Sequence, residues 1–137
     1  MFLETSVLLG IHLAGFALWT GFLIGFLLLG TSAIRLLRAC VVVMPMTLLS
    51  GWALAFVQFG APGSWFWAVN AMQTAGLAMA VVLLVAVFGA LMLLRDAEAT
   101  RDPEAVATAT RRLTRLVGVD IGLAVLILGF ALAGRYG

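Results

Sequence analysis

Hydrophobic positions in this chain come in long blocks rather than in alternation, and the polar ones punctuate them. No acid or arginine falls between Thr5 and Ile34 or between Ala39 and Leu94, and Leu116 to Gly134 holds only Asp120. A helix that crosses a bilayer needs about 20 apolar residues, so the middle block has room for two. The pattern predicts four helices, at about residues 5–29, 39–58, 66–94 and 116–134. Gly30-Thr31-Ser32 with Arg35 and Arg38 separates the first pair, and Gly60-Ala61-Pro62-Gly63-Ser64 the second. Residues 95–115 form the polar segment, where Asp102-Pro103-Glu104 reads as N-cap, N1 proline and first-turn acid of a short surface helix. The expected fold is all-α, a single integral membrane four-helix bundle spanning 1–137.

Composition supports the membrane assignment. Only 10% of residues are charged and 64% are hydrophobic, against roughly 25% charged in a soluble domain. The first block lacks a basic leader and carries Glu4, so it is expected to remain as a helix and not to be cleaved as a signal peptide. A single cysteine, Cys40, excludes an internal disulfide and a cysteine-cluster metal site. Every basic residue is arginine, and Ala and Gly abound, as in GC-rich bacterial genomes. The net charge of +2 therefore carries no nucleic-acid signal.

Arginines near the spans accumulate on the cytoplasmic side. Arg35 and Arg38 flank one predicted connection, Arg95, Arg101, Arg111, Arg112 and Arg115 another, and only Arg135 lies near a terminus. Both ends are then expected outside a bacterial inner membrane, with Trp65, Trp67 and Tyr136 in an interfacial belt. Gly21 with Gly25, and Gly118 with Gly122, have the G-x-x-x-G spacing of close helix contacts. Pro45 should kink the second helix, with Thr47 and Ser50 as local compensation.

Few residues carry chemistry. His12 is the only histidine, about two turns into the first helix, with Gly15 and Trp19 on the same face. It reads either as a ligand, with Gly15 admitting a flat macrocycle and Trp19 packing its edge, or as a neutral imidazole bonded to a neighbouring helix. Asn70, Gln73 and Thr74 share one face of the third helix at similar depth. They read as interhelical hydrogen bonders or as the lining of an outer pocket. Asp120 is expected to form a structural ion pair, with Arg115 or with Arg35 and Arg38. Met72 is expected on a different face from Asn70, and the methionines as filler.

The stretch His12-Leu-Ala-Gly-Phe-Ala-Leu-Trp19-Thr-Gly21 resembles the first helix of a four-helix membrane group that includes the HemJ-type protoporphyrinogen oxidases and the CopD-type copper-resistance domain. Arg35 and Arg38, Ser50-Gly51, Ser64-Trp65 and the arginine-rich segment before the last helix extend the resemblance along the chain. It implies haem b held by His12 in a membrane oxidoreductase with a quinone or other redox partner. The group's third-helix lysine has no counterpart, because the chain contains none, and its fourth-helix acid corresponds only approximately to Asp120. The alternative expectation is a cofactor-free, or chlorophyll-binding, transmembrane subunit of a homo-oligomer or a larger respiratory or photosynthetic complex. A small transporter is the third class, and no ladder of ionisable groups supports it.

Overall fold

A computed structural model describes residues 2–136, which are helical almost throughout and contain no strand. Helix α1 (Phe2–Leu29) leads through a 3₁₀ turn (Gly30–Ala33) into α2 (Ile34–Phe59), and a second 3₁₀ turn (Pro62–Ser64) precedes α3 (Trp67–Val85). A π-helical turn (Ala86–Ala90) joins α3 to α4 (Leu91–Ala99), and α5 (Pro103–Tyr136) completes the chain. Three runs are long and apolar enough to cross a membrane: Phe2–Phe59, Trp67–Ala99 and Pro103–Tyr136.

The first of these runs is folded back on itself. Gly30 adopts φ +70°, a conformation open to glycine at little cost, and turns the chain after α1. His12 then meets Thr47, Trp19 meets Cys40 and Gly25 meets Leu36, which fixes α1 and α2 as an antiparallel pair. The remaining helices pair likewise: α3 packs mainly on α5, α4 also on α5, and Gly134 near the chain's end touches Phe66 and Ala68. Both described termini and the 60–66 turn therefore share one end of the bundle.

Helix boundaries differ from expectation at the arginine-rich end. Helix α2 begins at Ile34, so Arg35 and Arg38 lie in its first turns, and no separate surface helix precedes the last span. Instead α5 is continuous over 34 residues, about 50 Å at 1.5 Å per residue, well beyond a hydrocarbon core of about 30 Å. The expected cap does form: Asp102 Oδ1 accepts from the Glu104 and Ala105 amides at 3.1 and 3.2 Å. Just before it, α4 closes with Arg101 N–H donating to Glu98 and Asp102 N–H to Ala97, a Schellman pattern with Arg101 at φ 53°.

The interior is small and closely packed. Trp19, Leu23 and Phe26 of α1, Leu37 and Cys40 of α2, Met79 and Leu83 of α3, and Leu113 and Val117 of α5 are fully enclosed. The exterior is apolar as well, with Leu28, Val42, Leu49, Phe88 and Val125 turned outward, as lipid contact requires. Two sequence expectations are corrected here. Trp65 does not face outward as a belt residue would: it is 6% exposed, edge-on to Trp52 and Phe56, with its indole N–H on the Gly60 carbonyl at 2.9 Å. Nothing among the described residues packs against Gly118 or Gly122; open space lies where their side chains would begin.

Candidate functional site

Between the α1/α2 pair and the α3/α5 pair lies a partly open cavity of about 400 Å³, within the range of small-molecule and cofactor sites. Its wall is overwhelmingly apolar. His12, Trp19, Thr47, Gln73, Met72 and Met79 line its interior, with Gln58 and Arg135 at the end that carries the chain termini.

His12 is placed by α2. Its Nδ1 lies 2.9 Å from the Thr47 carbonyl oxygen. A carbonyl only accepts, so Nδ1 is the donor, and in the neutral imidazole Nε2 then keeps its lone pair, the arrangement found in histidines that bind a metal through Nε2. The ring rests on the backbone at Gly51, where a Cβ would stand 2.6 Å from Cε1 and 2.9 Å from Nδ1. Any other residue at position 51 displaces the imidazole. Thr47 turns its own hydroxyl back to Val43 at 3.0 Å, and Ser50 donates to Met46 at 2.7 Å and Thr47 at 3.0 Å. Neither hydroxyl serves Val41, whose carbonyl Pro45 leaves without its helical donor.

Gln73 closes the seam from the opposite side. Its amide donates 3.1 Å to the Gly51 carbonyl, so α1, α2 and α3 are tied together through two consecutive contacts at one glycine. Of the face expected on α3, only Gln73 reaches the cavity. Asn70 is exposed and donates to Trp65, and Thr74 is exposed and donates to Asn70, so both satisfy local carbonyls. Met72, expected on another face, lines the same cavity as Gln73, because the cavity spans more than one stripe of α3. Gly15 does not leave space for a macrocycle. The Thr47 side chain fills it, with its Cβ 3.2 Å from where a Gly15 Cβ would be.

Trp19 is 1% exposed and forms the cavity's inner wall. Its indole lies against Asp120, which is likewise 1% exposed, and Cys40 donates to the Trp19 carbonyl at 3.7 Å. Neither Asp120 oxygen nor the Trp19 indole N–H has a hydrogen-bond partner among the described residues. The expected pair with Arg115 does not form. Five residues along a helix place the two side chains about 140° apart, and Arg115 is exposed, as are Arg35 and Arg38.

Among the described residues no three His, Cys, Asp or Glu side chains converge as a metal site. A bare ion would find one good donor here, the His12 Nε2. A metal that arrives with its own equatorial ligands needs only an axial one, and the donor set fits a metalloporphyrin on that ground. Comparison with known proteins returns no matching family, no matching curated relative and no matching solved structure. The chemistry of the site therefore rests on its own geometry.

Proposed function

We propose that this is a haem-binding redox protein of a bacterial inner membrane, crossing it four times, with His12 as axial ligand in the cavity between the two helix pairs. The carrying observation is the His12 imidazole, anchored at Nδ1 by the Thr47 carbonyl and left with a free Nε2 inside an apolar cavity. Haem supplies one-electron transfer when bound. The chain's own residues hold it: Gly51 and Thr47 fix the imidazole plane, Trp19 and Met79 exclude water, and Met72 offers a thioether on the same wall. A quinone or other membrane redox partner would exchange the electron. Oxidation of protoporphyrinogen is not part of the proposal, because no lysine stands on α3.

Seven of the eight arginines precede or follow the buried spans at the end away from the termini, which supports both termini and the cavity mouth facing outward. The test is an absorption spectrum of detergent-purified protein, as isolated and after adding haemin. Wild type is expected to give a Soret band of bound haem, and His12→Ala to lose it with helical circular dichroism unchanged. A colourless protein that takes up no haemin overturns the reading.

A second reading, a membrane subunit docked in a larger assembly, is favoured by one observation. Gly118, Gly122 and Gly129 share one exposed stripe of α5 with nothing described packed against them, the kind of stripe against which another helix packs. Native-size measurement after mild extraction separates it: a particle no larger than the single chain and its detergent rejects it.

A further inference from the structure

Apart from the His12 region, the cavity's polar side chains stand at its rim, and they come from opposite helix pairs. Gln58, one residue before the end of α2, and Arg135, one residue before the end of α5, both border it. Both are exposed, and neither side chain makes a hydrogen bond or ion pair with any other described residue. The chain supplies almost nothing to neutralise Arg135. Of the six acidic side chains, Asp96, Glu98, Asp102 and Glu104 lie at the other end of the bundle and Asp120 is enclosed in the core, so Glu4 is the only acidic side chain near this end among the described residues.

A lone guanidinium over an apolar cavity favours a ligand that brings its own negative charge, and a planar fork of donors matches a carboxylate in two places. The spacing sets the ligand's reach. Gly51 lies under His12 and Gln58 is seven residues further along α2, about 10 Å at 1.5 Å per residue. One molecule touching both ends therefore needs an apolar ring system at the imidazole and an acidic arm about that far away, less what the arginine side chain itself spans.

We infer that the cavity selects a macrocycle bearing free carboxylates, with Arg135 as the carboxylate anchor and Gln58 as a second donor at the rim. This inference rests on the assignment of His12 as an axial ligand and adds the ligand's acidic arms and the residues that hold them. Arg135 binds; it takes no part in electron transfer. Being exposed and unpaired, it can be replaced without disturbing the core.

The experiment titrates detergent-purified protein with haemin and, separately, with haemin dimethyl ester, whose carboxylates are blocked, following the Soret band. Wild type is expected to bind haemin at least tenfold more tightly than the ester. Arg135→Gln should weaken haemin about tenfold and leave the ester unchanged, Arg135→Lys should fall between, and His12→Ala should lose both. Equal wild-type binding of haemin and ester, with Arg135→Gln altering neither, overturns the anchor and leaves the His12 ligand standing. Absence of any Soret change with either probe in wild type overturns both.

Discussion

At Gly51 a single hydrogen atom in place of a side chain lets the His12 ring lie on the α2 backbone while the same residue's carbonyl takes the Gln73 amide. Gly51→Ala puts a methyl where Cε1 and Nδ1 of the imidazole now stand, so the ring must leave Thr47. The expected result is at least a tenfold loss of haemin affinity by titration, with a destabilisation of about 1–3 kcal/mol from overpacking. Gly122→Ala is the matched control, because open space lies at that position; it should bind normally and gain up to about 1 kcal/mol from helix propensity. Should both variants bind alike, the contact at Gly51 does not position the imidazole. Sequence alone singled out His12, because it is the one histidine in an apolar block, and the structure places it on the cavity wall. It misassigned the small residue beside it. Gly15 is three residues away on the same helix, which was visible, whereas Gly51 is 39 positions distant (51 − 12) and becomes a neighbour only when α1 and α2 fold together. The same limit explains Asp120: an arginine partner was expected, on its own helix or at the start of α2, but the side chain lies against Trp19 of α1.

One helix start was legible, because capping is local chemistry. Asp102 and Pro103 predicted the start of a short surface helix; the cap forms with the bonds they imply, but the helix it opens runs on without a break as α5. The stop of α4 was not legible, since its left-handed position holds Arg101 where glycine usually stands. Arg101→Gly removes that strain while keeping the bonds to Glu98 and Ala97, which use the backbone alone. It should raise stability by about 1 kcal/mol in a detergent unfolding titration, whereas Arg101→Val should lower it. A neutral or destabilising glycine would mean that the arginine side chain itself contributes there. The π turn at Ala86–Ala90 had no sequence signal either: it places one extra residue in the α3–α4 rod between two α-helical stretches.

For the molecule as a whole, hydropathy made the all-helical class and the membrane-spanning runs legible but not which surfaces meet. In water, an amphipathic stripe reports a helix's inner face; here α1 is apolar on every side, so its burial at Gly15, Trp19, Leu23 and Phe26 follows from shape. Shape also divides the bundle. The α1/α2 and α3/α5 pairs pack closely within themselves and meet along a seam that contains the cavity and is bridged by the Gln73 amide. A ligand seated in that seam touches both pairs and binds only when they are assembled, so it should stabilise assembly by mass action. At a free haemin concentration of 100 times the dissociation constant, the gain is about 2.7 kcal/mol. Wild type should show that gain as a raised unfolding midpoint in detergent, and His12→Ala should show none. Gln73→Leu removes the bridge but leaves the axial ligand, so it should start less stable by about 1 kcal/mol and still gain from haemin. If haemin raises the midpoint of His12→Ala as much as that of wild type, it is partitioning into the apolar surface and the seam is not its site.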